Sequence, residues 1–332
     1  MCGIVGYVGA RNATPIIYDG LKRLEYRGYD SAGIAVLQND HVEVRREAGK
    51  LDALRDLLYA QPITGPIGIG HTRWATHGQA NQINAHPHLD CSGDLVVIHN
   101  GIVENFLELR GELQAQGHTF LSETDTETIV HQVEQYMRDG ACFEEAARLT
   151  LNRLHGAQAV VLLNRRQPDR LITARIGNAG GVTIGLGHDE MFLASDMPAI
   201  LDYTRKVVFL ESRQMAIVLN DGYQVMTLDG DRVEAPVHNI AYDPASAAKG
   251  EYRHFMQKEI FEQARSLTDT IRGRADFDRG VIDLPEMNLT VQSAKAINRI
   301  VIAACGTSYH AGLVGRYLIE QMARIPVEVD IA

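Results

Sequence analysis

The stretch Met1-Cys2-Gly3-Ile4-Val5-Gly6-Tyr7-Val8 decides the fold, because it places a thiol directly before a short apolar run. Residues 4–8 are β-prone and lie between glycines, which is typical of a buried strand. If Met1 is removed, Cys2 carries both a thiol with an ordinary pKa of about 8.5 and an α-amine of about 7.7–8.0. Such an amine can take the thiol proton, so the stretch predicts an N-terminal nucleophile. Taken alone, a cysteine at this position is more often a small buried apolar residue near a terminus, and the motifs that follow favour the nucleophile.

The composition is that of an ordinary globular protein. Its 332 residues are enough for about two domains. A net charge of −10 argues against a nucleic-acid partner or an anionic membrane. We find neither a secretory leader nor an apolar run of about 20 residues. The four cysteines show no Cys-x-x-Cys spacing, so the sequence predicts reduced thiols and a cytoplasmic protein.

Hydrophobic periodicity predicts alternating strands and helices up to about residue 237. Thr14 is expected to cap a first helix that ends at Gly28. The other predicted segments are strands over 32–37, 42–46 and 95–98, helices over 102–113, 125–139 and 143–154, and successive strands over 159–237. Asp221-Gly222 indicates a hairpin within the last region. Together these elements predict stacked sheets that are covered by helices.

The character of the chain changes after residue 240. Residues 241–250 are small and polar, as in a linker, and a charged helix is predicted over 251–272. A strand over 299–304, a polar turn over 305–308, a helix over 310–323 and one last strand then form a single β-α-β unit. Because such a unit cannot bury both faces of a parallel sheet, we expect the chain to stop inside its second domain.

One loop, residues 71–78, concentrates polar side chains and the chain's single Trp. Its Arg73 is suited to gripping a carboxylate through two parallel hydrogen bonds, although a polar surface loop anchored by Trp74 is the alternative. Histidines recur in and after this loop, at His71, His77, His86, His88 and His99. Since neither Cys nor a carboxylate lies at ligand-like spacing from them, the sequence predicts no metal site.

Two further motifs follow. Asn100-Gly101 lies where a strand gives way to a helix, and a side-chain amide beside a glycine N–H can hold an oxyanion. The same pair is more often a simple turn. Asp125 precedes a helix that it could cap. It could instead bind a substrate ammonium, and together with Arg73 it would then recognise an α-amino acid.

These motifs, taken in order, resemble those of class II glutamine amidotransferases. The matching segments are 1–6, 25–33, 71–78, 84–88, 99–101 and 122–125. Their spacing is similar to that of the glutamine–fructose-6-phosphate aminotransferase branch. Residues 252–260 and 305–309 resemble the interdomain helix and the start of the sugar-isomerase domain of that branch.

The resemblance implies a role for each matching residue. Cys2 attacks the glutamine amide, and Asn100 with Gly101 forms the oxyanion hole. Arg73 holds the substrate carboxylate and Asp125 holds its ammonium. The other implied roles are pocket residues at Thr76, His77 and His86, a guard of the ammonia path at Trp74, an N-terminus-ordering residue at Arg27, and sugar-phosphate contacts at Cys305, Gly306, Thr307 and Ser308.

The implied fold is α+β. A four-layer αββα N-terminal-nucleophile hydrolase sandwich spans 2–240, a linker with an interdomain helix spans 241–290, and an incomplete doubly wound sugar-isomerase domain spans 291–332. The implied reaction releases ammonia from L-glutamine and passes it to fructose 6-phosphate, with neither metal nor organic cofactor, in a homodimeric full-length enzyme. The alternatives are an amidophosphoribosyltransferase-like glutaminase and a non-catalytic module that binds an amino acid or a sugar phosphate.

Overall fold

The structure is a computed structural model that describes residues 2–74, 78–240, 252, 255–272, 274–276, 279–282, 284, 287 and 289–332. The chain divides into two units, residues 1–251 and 252–332. The strands of the first unit are, in chain order, β1 (Gly3–Gly9), β2 (Ser31–Gln38), β3 (His41–Ala48), β4 (Ile67–Arg73), β5 (His88–Leu89), β6 (Leu95–Gly101), β7 (Gln158–Asn164), β8 (Arg170–Ile176), β9 (Thr183–Leu186), β10 (Glu190–Ala194), β11 (Lys206–Phe209), β12 (Gln214–Leu219), β13 (Tyr223–Thr227), β14 (Arg232–Val233) and β15 (His238–Asn239).

Helices separate some of these strands. They are α1 (Ala13–Arg23), α2 (Leu51–Ala60), α3 (Phe106–Ala115), α4 (Glu127–Arg138) and α5 (Phe143–Arg153), with 3₁₀ turns at Glu25–Arg27 and Met197–Ala199. Among the described residues, none of the helices has the length and apolarity that a bilayer span requires.

The first unit contains two antiparallel sheets. The eight-stranded sheet has the order β15-β11-β9-β10-β1-β4-β2-β3, so β1 is an interior strand between β10 and β4. The seven-stranded sheet has the order β14-β13-β12-β8-β7-β6-β5. The Asp221-Gly222 hairpin joins β12 and β13 as predicted.

Strand alternation divides the core into three clusters. In β1, Ile4 and Val8 pack with Val96 and Ile98 of β6 in a core shared by the two sheets. The opposite face of β1 packs against α1 and α2, and the opposite face of β6 packs against α3, α4 and α5. The helices therefore lie on the outer faces of two stacked sheets, as the sequence predicted.

The second unit holds the rest of the described elements. They are α6 (Phe255–Ile271), β16 (Ala275–Asp276), β17 (Val281–Ile282), α7 (Val291–Ala296), β18 (Ile300–Ala304), α8 (Gly306–Ala323) and β19 (Val327–Ile331). β18 and β19 are parallel, which agrees with the predicted β-α-β unit. Several large apolar side chains of this unit are exposed, namely Val301, Val314, Tyr317, Leu318, Met322 and Ile331.

Three predictions at helix ends were wrong. The cap of α1 is Asn12, whose side chain accepts from Thr14 N at 3.3 Å, because the Thr14 hydroxyl donates instead to Ile63 O. α1 also ends at Arg23, before a separate 3₁₀ turn that leads to Gly28. The predicted polar turn over 305–308 is mostly helical, since α8 begins at Gly306.

The segment after β6 also differs from the prediction. Ile102 is half exposed, and α3 begins only at Phe106. The amides of Val103 and Glu104 donate to the Asp125 carboxylate and to His155 O, which holds this segment out of the helix. Helix α2 was not predicted at all, and the predicted linker over 241–250 lies outside the described residues.

Candidate active site

Cys2 precedes β1 and lies against the end of β4. Its Sγ accepts a hydrogen bond from Trp74 N at 3.2 Å and is 3.6 Å from Trp74 O. Burial raises the pKa of the Cys2 thiol, and the Trp74 N–H and the charges of Arg73 and Arg27 oppose this rise only in part. The thiol is therefore protonated at neutral pH and needs a base before it can attack.

The backbone carbonyl of Cys2 is held from two sides. Arg27 Nε donates to it at 3.2 Å and Asn100 Nδ2 donates at 3.1 Å. Arg27 is itself fixed by an ion pair between its Nη1 and Asp196 Oδ2 at 2.8 Å. These contacts anchor the main chain of the residue that carries the thiol.

Asn100 reaches Cys2 in a defined orientation because a buried histidine holds its amide. His71 Nε2 lies 3.0 Å from Asn100 Oδ1 and 3.1 Å from His99 O. Both partners are acceptors, so His71 carries its proton on Nε2 and donates it. The Asn100 oxygen is thereby turned toward His71, and its NH₂ group is turned toward Cys2.

Gly101 follows directly, and only glycine fits there. Its φ is +134°, and a Cβ would lie 2.2 Å from Ala157 O. The close approach to Ala157 therefore excludes a side chain at this position.

Arg73 and Asp125 lie on the same cleft as Cys2, and both are nearly fully buried. The Arg73 guanidinium donates to Gln79 O at 3.2 Å and to Gly78 O at 3.3 Å. Asp125 Oδ2 accepts from Val103 N at 2.7 Å, so the carboxylate does not cap α4. The cleft thus has a cationic and an anionic group beside a thiol. Its described lining residues are Cys2, Arg73, Trp74, His86, His99, Gly101, Thr124, Asp125 and Thr126.

A chain of buried neutral histidines supports the floor of this cleft. His99 Nε2 lies 2.5 Å from Gln158 Oε1, an acceptor, so His99 Nδ1 accepts from the Thr126 hydroxyl at 2.9 Å. Thr126 Oγ1 in turn lies 3.1 Å from His86 Nε2, which donates to it. The His86 ring stacks on His71 with centroids 4.1 Å apart. Burial lowers the pKa of His71 to about 3 and lowers those of His86 and His99.

This histidine chain predicts acid sensitivity. Burial also lowers the pKa of His88 to about 3, whereas an unfolded histidine titrates near about 6.5. As the pH falls from about 6.5 toward 3, the unfolded chain binds protons that the folded chain excludes, so stability falls. Each such histidine contributes a slope of about 1.4 kcal/mol per pH unit. We expect His88→Gln to reduce the pH slope of the free energy of unfolding by the contribution of about one proton. Urea unfolding between pH 4 and 6.5 would measure this change.

The matched control for that measurement is His188→Gln, since the His188 side chain is 98% exposed. It measures the effect of the same replacement at an exposed position, and His88→Gln should change the pH slope of the free energy of unfolding by more than this control does. Equal slopes for His88→Gln and the unmodified chain would contradict the assignment of a neutral, buried His88.

The structure brings together Cys2, Arg27, Arg73, Trp74, His86, Asn100, Gly101 and Asp125, all predicted from the sequence. Trp74 is 43% exposed, and its ring packs edge-on against that of Tyr29. Thr76 and His77 lie outside the described residues. Cys305, Gly306, Thr307 and Ser308 belong to the second unit, where Gly306 begins α8.

Sequence reasoning missed the supporting contacts. It weighed His71 only as a metal ligand, although His71 and Arg73 are two apart on β4 and so share a strand face. That spacing could have placed His71 beside the site. Nothing local marks Thr126, Gln158 or Asp196, because their partners come from distant parts of the chain.

Comparison with known proteins gives consistent similarities. A family model described as a glutamine amidotransferase domain matches residues 71–202. The glutamine–fructose-6-phosphate aminotransferase [isomerizing] of Caldanaerobacter subterraneus subsp. tengcongensis is 46% identical over 332 residues, covering 100% of this chain and 54% of that protein. The Thermococcus kodakarensis protein of the same name is 46% identical over 329 residues, covering 98% and 53%. The chain therefore spans about half the length of the curated relatives it matches.

Solved structures show the same fold. A glutamine phosphoribosylpyrophosphate amidotransferase from B. subtilis, in complex with ADP and GMP, matches with a TM-score of 0.62 at 21% identity, covering 99% of this chain and 65% of that chain. A structure described as the allosteric regulatory enzyme of purine biosynthesis matches with a TM-score of 0.61 at 26% identity, covering 68% and 49%. Both similarities support a mixed α/β amidotransferase fold.

Proposed function

The chain belongs to the class II glutamine amidotransferases, and on that premise we propose that Cys2 hydrolyses the side-chain amide of L-glutamine to glutamate and ammonia. The observation that carries the proposal is one cleft that joins the Cys2 thiol, the Arg73 guanidinium and the Asp125 carboxylate. The two charged groups suit the two ends of a free α-amino acid, and the thiol suits its amide carbon.

The fold of the first unit supports this chemistry. We assign it to the four-layer αββα sandwich of N-terminal-nucleophile hydrolases, on the basis of two stacked sheets with helices on both outer faces. The proposed domain limits remain 2–240 for the glutaminase, 241–290 for the linker and interdomain helix, and 291–332 for the start of a sugar-isomerase domain.

The proposed reaction begins once Met1 has been removed. The α-amine of Cys2 takes the thiol proton, and Sγ forms a bond to the amide carbon of glutamine. The tetrahedral intermediate then expels ammonia, which leaves with the proton held by the amine. Water, deprotonated by the same amine, hydrolyses the resulting thioester to release glutamate and restore the thiol.

The oxyanion of both tetrahedral intermediates would be held by Asn100 Nδ2 and the backbone N–H of Gly101. The 3.1 Å contact from Asn100 Nδ2 to Cys2 O supports this role, because it places the amide donor next to the residue that attacks. In recognition, Arg73 would bind the substrate carboxylate and Asp125 its ammonium. We propose His86, Thr76 and His77 as further pocket residues and Trp74 as a guard of the ammonia path.

Asn100 should act mainly on the chemical step. We expect Asn100→Ala to lower kcat by about 10²–10³-fold with little change in KM, since the bond to the oxyanion strengthens in the transition state. His71→Phe should also lower kcat, because the Asn100 amide then loses the hydrogen bond that fixes its orientation. Steady-state glutaminase kinetics would check both values.

Asn152→Ala is the control for this pair, because Asn152 is an asparagine that contacts Arg213 and Leu228 on the surface. It should leave kcat unchanged. A KM defect without a kcat defect in Asn100→Ala would argue against an oxyanion role.

The complete enzyme is proposed to pass the ammonia to fructose 6-phosphate and form glucosamine 6-phosphate. The 46% identity with fructose-6-phosphate aminotransferases supports this acceptor over a phosphoribosyl diphosphate, since the phosphoribosyl enzyme matches at 21% identity. Thr307 and Ser308 lie in the first turn of α8, where helix amides favour a phosphate, and Cys305 and Gly306 complete this proposed contact. We propose a homodimer for the full-length enzyme.

Ammonia release from glutamine by the purified chain tests the proposed function. We expect glutamate and ammonia in equal amounts, from L-glutamine and not from D-glutamine. A folded chain with Cys2 at its N-terminus that binds glutamine without releasing ammonia would instead support the non-catalytic binding module.

A further inference from the structure

Four potential metal ligands meet at a second place in the first unit. Cys91 follows β5, His118 follows α3, and His131 and Glu134 lie one turn apart on α4. The ligand atoms of these four side chains all lie within 4.8 Å of one another. Cys91 is exposed and the other three residues are buried. None of the four lines the glutamine cleft.

The distances between these atoms are short and even. Glu134 Oε2 lies 3.0 Å from His118 Nδ1 and 3.1 Å from His131 Nδ1. Cys91 Sγ lies 3.7 Å from His118 Nδ1 and 3.6 Å from His131 Nδ1. In tetrahedral zinc, bonds of about 2.0–2.3 Å place neighbouring ligand atoms roughly 3.3–3.6 Å apart. Four of the six distances among the ligand atoms are therefore close to those of a tetrahedral zinc site, and all six are within 4.8 Å.

The outer contacts of His118 direct its lone pair into the cluster. His118 Nε2 lies 3.0 Å from Gln135 Oε1, and Gln135 Nε2 donates to Asp139 at 2.9 Å, which fixes the orientation of that amide. His118 consequently donates from Nε2, and in the neutral ring its Nδ1 is an acceptor.

His131 has a similar outer partner. Its Nε2 lies 3.5 Å from Glu127 Oε1, a carboxylate. A carboxylate or carbonyl behind the outer nitrogen of a histidine is the usual arrangement around bound metals. Both Nδ1 atoms therefore face Glu134 Oε2, and the other oxygen of that carboxylate is held by Arg138.

We propose that Cys91, His118, His131 and Glu134 bind one divalent transition-metal ion, best matched by Zn²⁺. One thiolate, two imidazoles and one carboxylate form a borderline-soft set that suits zinc better than magnesium or calcium. Four protein ligands fill a tetrahedron, so the site is structural. The exposed side of Cys91 gives the ion a path from solvent.

The ion would connect three segments behind the glutamine cleft. α4 begins directly after Asp125 and Thr126, which line that cleft, and it carries His131 and Glu134. Cys91 lies three residues after His88, a buried histidine whose ring packs edge-on against that of His86. Binding should therefore stabilise the first unit, and the stabilisation should increase with metal concentration.

Cobalt substitution tests the proposal without using catalysis. The metal-stripped chain, titrated with Co²⁺, should show a thiolate-to-cobalt charge-transfer band and intense tetrahedral ligand-field bands that saturate at one equivalent. Zn²⁺ should abolish these bands and raise the melting temperature. Cys91→Ser should lose the charge-transfer band, and His118→Gln should weaken all bands.

Cys142→Ser is the matched control, because Cys142 is also a free, exposed thiol. Cys142→Ser should bind cobalt like the unmodified chain. Cys2 and Cys305 are present in both Cys91→Ser and Cys142→Ser, so any cobalt signal from them is the same in the two variants. Circular dichroism establishes that each variant is folded. Absence of the bands, or their persistence in folded Cys91→Ser, would overturn the proposal. The four side chains would then be joined by hydrogen bonds only.

Discussion

Replacing Cys2 by Ser is expected to lower glutaminase turnover by on the order of 10⁴-fold or more, with folding intact. A hydroxyl stays protonated near neutral pH and is a far weaker nucleophile than a thiol, even with the same α-amine as base. Glutamine should still bind, because Arg73 and Asp125 are unchanged. Ammonia release and isothermal calorimetry with glutamine measure the two effects separately.

The role of the Cys2 α-amine as the base can be tested by blocking it. A chain with an uncleaved extension before Cys2 should be inactive, and proteolysis that exposes Cys2 should restore turnover, because only then is the α-amine free. Mass spectrometry identifies the first residue in each sample. Cys142→Ser is the control for loss of a thiol. Full activity with the extension in place would rule out the α-amine as base.

Changes at Arg73 and Asp125 should mainly affect substrate binding. Loss of one partner of a desolvated charge pair costs on the order of 2–5 kcal/mol, so Arg73→Ala should raise KM for glutamine by about 30-fold or more. Asp125→Asn is the sharper variant. Its amide oxygen can still accept the hydrogen bond from Val103 N, so the variant removes the negative charge with little change in structure.

Substrate analogues distinguish the two roles. Asp125→Asn should discriminate less against an analogue without the α-amino group, and Arg73→Ala should discriminate less against one without the carboxylate. Arg55→Ala, at an exposed arginine on α2, should match the unmodified chain. A loss of kcat at unchanged KM in either cleft variant would contradict a binding role.

The sequence predicted the residues of the cleft better than the contacts that hold them. Cys2, Arg73 and Asn100 stand in short motifs whose chemistry can be read from residue type and spacing. Asp196 and Arg27, which form an ion pair, are 169 residues apart in the chain. Gln158 and its partner His99 are 59 residues apart. Such pairings arise from the order of strands in the two sheets, which hydrophobic periodicity does not specify.

The cluster around Cys91 shows the same limit. The spacing of the histidines near the loop 71–78 indicates no metal site, and nothing in the local sequence groups His118 and His131 with Cys91. His118 and His131 lie 27 and 40 residues from Cys91 along the chain, so the convergence of the three depends on how α3 and α4 pack. Helix ends were similarly misjudged where a tertiary contact, such as that of Thr14 with Ile63, took the polar group expected to cap.

The hydrogen bond from Asn100 to the Cys2 carbonyl has a mechanical consequence. Cys2 directly precedes β1 of one sheet and Asn100 lies on β6 of the other, so small sliding motions between the sheets would ordinarily change the distance between the proposed nucleophile and the proposed oxyanion donor. One side-chain amide has two hydrogens, and one of them ties the two strands together at 3.1 Å while the second can face the substrate. In the proposed role, this hydrogen bond would set the distance between Cys2 and the oxyanion donor locally, and the packing of the two sheets would affect that distance less.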